Sequence, residues 1–307
     1  MEIDIQTLQD SSNKAPVSTS LQANKTPKIG RWTLLVVAIV AMATVAAFLP
    51  FEDLIAKFFG PPRVELKEAY TDNVTGPSFD HSTFDTLLHR YVDADGWVDY
   101  VGLKANVSEL DMYLKSLGVA PLDAMGRDEK LALLINAYNA GTLKLILDHQ
   151  PISSIQDIPE QERWDAVRWN IGGNLWSLNQ IEHEQIRPKF VEPRIHFALV
   201  CAALSCPPLR TEAFTATRLE EQLQEQSQYV HTHATWFQFD RDASPASLTK
   251  LYRWYGDDFT QIAGSPLEFA SRYSPTLKQT LADGVTPRIE WLPYEWDLNS
   301  IQNKRPR

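Results

Sequence analysis

Residues 195–210 read IHFALVCAALSCPPLR. The first seven of these residues form a short, almost wholly apolar run carrying one histidine, the pattern of a buried strand. Along such a strand Ile195, Phe197 and Leu199 face one way, and His196, Ala198 and Val200 the other. Both cysteines of the chain, Cys201 and Cys206, lie in this stretch. Cys201 ends the apolar run and reads as a buried small hydrophobe. Cys206 precedes Pro207-Pro208, which push its backbone towards extended geometry and hold it stiffly. Arg210 is close enough in sequence to lower a thiol pKa, so Cys206 reads as the presented nucleophile. A Cys201–Cys206 disulfide or a structural thiol are the alternative readings. His196 reads either as a core histidine with satisfied ring nitrogens or as a site residue, its pKa lowered by burial unless an anion pairs with it.

Upstream, Arg127–His149 reads as a long helix. Leu131, Leu134, Ile135, Tyr138, Thr142, Leu145 and Ile146 share one face, and only a narrow strip with Lys144 and Asp148 is polar. Asn136 and Asn139 are three apart on the buried surface of that helix. A buried amide without partners costs about 1–3 kcal/mol, so both must meet polar groups. They read as clamps on a neighbouring loop or as the lining of a pocket, with the 182–187 helix or the Cys206 loop as the expected partner. Ser177 to Gln180 resembles a capping box that opens a helix ended by Pro188. His183 and Arg187 share one face of that helix, while Glu182 points about 100° away from His183. This helix reads as a solvated surface or as part of a site.

Residues 167–176 read as a hairpin around Gly172-Gly173-Asn174, and Asp95-Gly96 as a turn between Val92 and Val98. Ser82–Tyr91 and 266–273 read as helices, and 219–233 as a polar, exposed helix. Segments 236–240, 247–251 and 288–294 read as extended. Helices and strands mix without regular alternation, which predicts an α+β fold of mixed helices and short, largely antiparallel strands in one globular domain. The Asp93–Asp99 spacing misplaces the glycine for a calcium loop. A zinc site from His183, His196, Cys201 and Cys206 is conceivable, but the C-x4-C spacing is weak evidence for one. No metal or cofactor is expected.

The 307 residues are 44% hydrophobic and 22% charged, with 9 Trp, 13 Phe and 10 Tyr, a composition that can build a well-packed core. A net charge of −10 excludes a basic nucleic-acid footprint. Residues 32–51, WTLLVVAIVAMATVAAFLPF, carry no charge, and as a helix they reach about 30 Å, the thickness of a hydrocarbon core. Trp32 and Phe51 suit the two interfaces. The only Ala-x-Ala match, at residue 41, lies inside the run, so an uncleaved signal anchor is favoured. Lys25, Lys28 and Arg31 precede it, and Glu52 and Asp53 follow, which places the N-terminus inside. The expected organisation is a disordered cytoplasmic tail (1–31), a single transmembrane anchor (32–51), a linker (52–78), the globular domain (79–300) and a polar tail (301–307). That domain would lie outside the inner (plasma) membrane, in the periplasm or the extracellular space.

Five motifs occur in order: LLINAYNAGTLKLIL (133–147), SLNQIEHEQIRPKF (177–190), PRIHFALVCAALSCPPLR (193–210), LYRWYGDDF (251–259) and IEWLPYEWDLN (289–299). Together they resemble the family known as domain of unknown function 547, over about residues 79–299. The resemblance implies importance for Asn136, Asn139, Glu182, His183, Arg187, His196, Cys206 and Arg210 without supplying their roles. Ala202 stands where that family usually has Gly, and Glu295 where Asp is usual. The expected function is that of a cysteine-dependent hydrolase or acyl transferase acting on peptide or envelope material. Cys206 would attack a carbonyl, His183 or His196 would act as base, and Glu182 or an asparagine would orient it. Both histidines precede the cysteine, the reverse of the papain order. The alternative is a non-catalytic binding or scaffold domain in which Arg187 and Arg210 hold an anionic ligand.

Overall fold

The computed structural model describes residues 61–242 and 245–306. The N-terminal tail, the 32–51 segment and the first part of the expected linker lie outside the described residues. Helices α1 (Ser82–Tyr91), α2 (Tyr100–Ala105) and α3 (Val107–Leu117) pack beside the long helix α4 (Arg127–His149). A hairpin of β1 (Trp169–Ile171) and β2 (Asn174–Trp176) follows, then a one-turn helix that runs into a π-helix, Ile181–Ile186. After the cysteine region come α5 (Leu219–Thr232), β3 (Phe237–Gln238) and β4 (Ala246–Leu248). Helices α6 (Leu251–Trp254), α7 (Gly256–Ala263), α8 (Pro266–Ser271) and α9 (Pro275–Ala282) and strand β5 (Ile289–Trp291) complete the order. This is a mixed helix and sheet globular domain, consistent with α+β. Among the described residues no helix is long and apolar enough to cross a membrane.

Local sequence signals account for several of these elements. Gly172 and Gly173 take φ values of +58° and +82°, the left-handed geometry a two-residue hairpin turn needs. The hairpin is antiparallel, with Trp169 opposite Trp176. Ser177 and Gln180 form the reciprocal capping box. Val92 bridges Val98 across the Asp95-Gly96 turn. The second sheet is small: β3 pairs antiparallel with β4, and β4 pairs parallel with β5.

Three expectations are corrected. Residues 195–201 do not form a strand. Pro193–Phe197 is a 3-10 helix, with the Glu192 carboxylate accepting the Arg194 N–H. The segment is apolar because it is wedged between two cores: Ile195, Leu199 and Val200 join the cluster around α4, while Phe197 joins the cluster of α5 to α9. Burial from all sides has no period, so the pattern mimics a strand. Second, the polar helix α5 buries one face, with Gln222, Gln226, Ser227 and His231 inside. Third, the described part of the expected linker is fastened to the domain. The Ala69 N–H donates to the Lys189 carbonyl at 3.0 Å, Leu66 and Val64 exchange hydrogen bonds with Gln261, and the Lys130 ammonium sits 4.0 Å from the Tyr70 ring centroid.

Candidate functional site

The two helix amides are clamps. Asn136 accepts the Phe214 N–H at 2.9 Å and donates to the Phe214 carbonyl at 2.8 Å. Asn139 donates to the Ala198 carbonyl at 3.0 Å and accepts the Val200 N–H at 2.9 Å. Neither amide hydrogen-bonds to the 182–187 helix. Asn139 instead satisfies the backbone of the segment 198–200, which would otherwise need a partner strand. Of the two readings, the clamp on a neighbouring loop is the one both amides make, and the Asn139 clamp supports the approach to Cys201.

Beyond Val200 the chain turns sharply. Ala202 takes φ +64°, a conformation that costs a side chain with a Cβ about 1–2 kcal/mol. This explains why glycine suits the position. The turn is held by Cys206 N–H to the Ala203 carbonyl (3.1 Å), and it is pinned to the C-terminal segment by Leu204 N–H to Asp297 O (2.8 Å) and Asn299 N–H to Ala202 O (3.0 Å). The Cys201 N–H points at the Cys206 sulfur, 3.1 Å away.

Both cysteines are free thiols, and their burial is the reverse of that expected. Cys206 is 2% exposed, whereas Cys201 is half-buried. The Cys201 sulfur lies 3.2 Å from the Tyr294 hydroxyl. A hydrogen bond with the Cys206 side chain holds the Cys201 thiol below the ordinary range. Burial opposes this, and Tyr294 and the Ala203 N–H reinforce it. Burial first, and then the Cys201 side chain, push Cys206 well above that range. The thiol expected to be presented before Pro207-Pro208 is instead turned inward. Arg210 does not serve either thiol. Its guanidinium bonds Glu225 at 2.6 Å, Glu212 and the Gln222 carbonyl.

A second cluster lies on the π-helix. The Arg187 N–H reaches back five residues to the Glu182 carbonyl at 2.9 Å, and this wide turn brings Glu182, His183 and Arg187 to one side. Arg187 is buried and forks onto Asp258 at 2.7 and 2.9 Å, with further bonds to the Pro62 carbonyl (2.9 Å) and His183 Nδ1 (3.1 Å). It is therefore a structural cation rather than an open anion binder. His196 Nε2 meets Asp258 at 2.8 Å, and its ring stacks on Tyr255 with centroids 3.7 Å apart. His196 Nδ1 has no hydrogen-bond partner; the nearest carboxylate is Glu182, at 3.9 Å. The Glu182 carboxylate, after burial, helps to push the Tyr255 hydroxyl well above its ordinary range. Burial pushes His196 down and the bond to Asp258 offsets this only in part, so the ring is neutral near pH 7. Burial pushes Asp258 up, but hydrogen bonds from His196 and Arg187 outweigh it and the carboxyl falls to about 2.

Among the described residues neither His183 nor His196 hydrogen-bonds to a thiol, so the expected cysteine–histidine pair is not assembled. Each histidine is held by its own partner, Arg187 or Asp258. The Glu182 charge raises the pKa of both Tyr255 and Cys201, so it acts on both clusters. Tyr255, Asp258 and Tyr294 were missed by the sequence reading, although LYRWYGDDF and IEWLPYEWDLN contain them. A groove of about 300 Å³ between α3, α4 and β1, lined by Asp111, Lys144 and Trp169 among others, shares no lining residue with the thiol site.

The model of the family described as "Protein of unknown function, DUF547" matches residues 122–229. The resemblance read from the five motifs is confirmed over this stretch. The matched residues include both asparagines, the π-helix and both cysteines, and end before Tyr255, Asp258 and Tyr294. No curated protein and no solved structure matches the chain.

Proposed function

We propose that this protein is a membrane-anchored, extracytoplasmic cysteine enzyme, a hydrolase or acyl transferase, with Cys201 rather than Cys206 as nucleophile. The observation that carries this reading is the half-buried Cys201, its sulfur 3.2 Å from the Tyr294 hydroxyl and its pKa lowered first by Cys206 and then by Tyr294 and the Ala203 N–H. These donors favour thiolate over thiol, which removes the need for a histidine in contact with sulfur. The thiolate adds to an acyl carbon, and the bond from that carbon to the leaving nitrogen or oxygen breaks. Burial keeps Tyr294 protonated well above its ordinary range, so its hydroxyl is the nearest proton donor for the leaving group. Water or a second nucleophile then cleaves the thioester. Glu182, Tyr255, His196, Asp258 and Arg187 act as positioning residues. Peptide or envelope acyl groups are the substrates an extracytoplasmic site would meet, and residues 32–51 are the segment in contact with the lipid bilayer. The scaffold alternative has less support, because Arg187 and Arg210 are both engaged by carboxylates.

The test is to treat the detergent-solubilised full chain with activated esters and map the acyl adduct by mass spectrometry. An adduct on Cys201 that Cys201→Ser abolishes is expected. An adduct on Cys206 alone, or none, overturns the assignment. Alkaline carbonate extraction and protease treatment of spheroplasts check the anchor; release by carbonate, or a protected domain, sinks that part.

A further inference from the structure

Cys206 is a buried nucleophile that acyl transfer leaves unused. Its sulfur accepts the Cys201 N–H at 3.1 Å, which sets the two cysteines side by side across the turn. The six residues 201–206 form one turn, closed by Cys206 N–H to Ala203 O at 3.1 Å. Only Cys201 reaches the surface, while Cys206 is 2% exposed. A half-buried thiol beside a fully buried one is an arrangement that suits thiol–disulfide exchange: one sulfur attacks and the other resolves.

We infer that Cys201 and Cys206 are a redox couple that exchanges with an external disulfide, Cys201 attacking and Cys206 resolving. In the first step the Cys201 thiolate bonds to one sulfur of a small-molecule disulfide, whose S–S bond breaks and whose other sulfur leaves as a thiolate. Cys206 then loses its proton to that thiolate or to solvent and attacks the Cys201 sulfur. The mixed disulfide breaks and the second external thiolate leaves. Overall the protein loses two hydrogens and the external disulfide becomes two thiols. The lowered pKa of Cys201 and the raised pKa of Cys206 fit these two roles. The couple shares Cys201 with the acyl-transfer reading but not its chemistry.

The test equilibrates the full chain, in detergent, with reduced and oxidised glutathione, blocks free thiols by acid quench and alkylation, and maps the peptides. The expected product is a 201–206 disulfide that reduced glutathione reverses. In Cys206→Ala the main oxidised product becomes a glutathione adduct on Cys201. A stable Cys201 adduct in the unsubstituted chain, glutathione on Cys206, or no reaction of either thiol overturns the inference. The unsubstituted chain decides the matter even if the variant does not fold. An acyl adduct and an internal disulfide differ in mass, so either proposal can fail while the other stands.

Discussion

Asn139 holds Val200 by its backbone N–H at 2.9 Å and takes the Ala198 carbonyl at 3.0 Å with the same amide. One side chain thus does for residues 198–200 what a partner strand would do, one residue before the half-buried thiol. A helix interior is a poor place for asparagine on propensity alone. Here the tertiary bond decides the residue.

Replacing Asn139 with leucine keeps the volume and removes both bonds. Two buried backbone groups lose their partners, so the expected loss of stability is about 2–5 kcal/mol. Denaturant unfolding followed by tryptophan fluorescence measures it. A loss below about 0.5 kcal/mol would show that the segment finds other partners or water.

Ala202→Gly relieves the left-handed strain at φ +64°. The variant is expected to be more stable by about 1 kcal/mol, the strain relieved being partly offset by the entropy of glycine in the unfolded chain. The same unfolding experiment reads it, and a destabilised variant would refute the strain argument.

The thiol acidities rank their own causes. Cys206→Ala removes the largest lowering contribution to Cys201 and Tyr294→Phe a smaller one. Iodoacetamide labelling of Cys201 across pH should therefore shift its midpoint upward in both variants, and further in Cys206→Ala. In the unsubstituted chain Cys206 should label only on unfolding. Prior labelling of Cys206 in the folded protein would contradict the burial described above.

Asp258 sits opposite a buried guanidinium. Asp258→Ala leaves Arg187 charged and unpaired, an expected cost of about 3–5 kcal/mol. The folded carboxyl, at about 2, lies below its ordinary value of 3.8. Its stabilisation is therefore complete above about pH 4 and lost as pH falls from there towards about 2. The acid limb of the stability curve should flatten over that interval in the variant; an unchanged limb would argue against the pairing.

Buried histidines act at milder pH. Burial pushes His81 and His231 down to about 4. His231 Nδ1 lies 2.7 Å from the Ser227 carbonyl and Nε2 2.6 Å from the Tyr252 hydroxyl, which suits a neutral ring. The unfolded chain takes up these protons first, near pH 6.5, so stability present above that pH is lost as pH falls towards 4. The loss is at most about 3 kcal/mol for each ring. His231→Gln should remove part of this slope in unfolding measured from pH 7 to 4.

Some of the molecule was legible because its causes are local. The bounds of Ser82–Tyr91 and Arg127–His149, the Gly172-Gly173 turn and the Ser177–Gln180 capping box rest on hydrogen bonds within a few residues and on the φ preference of glycine. The helices α2, α3, α7 and α9 were not read from the sequence, although α3 buries Leu110, Tyr113 and Leu117 at helical spacing. Within the site, Asn136, Asn139 and His196 were singled out as polar groups in buried surroundings, since a polar residue in an apolar stretch signals a partner, whereas the helix of Glu182 was left between a solvated surface and a site and buries that carboxylate. The identity of the partner is a different matter. Phe214 lies 78 residues from Asn136, and Asp258 lies 62 from His196.

The sequence by itself therefore determined that residues 195–200 are buried and that the cysteines follow them. The tertiary structure alone decided that this segment is no strand and that Cys201, not Cys206, meets the surface. Apolar composition reports the amount of burial but not its direction. A strand in a sheet and a segment between two cores lose the same water. Exposure of a thiol depends on which distant backbone pairs with its turn, here residues 297–299, and on where Tyr294 places its hydroxyl.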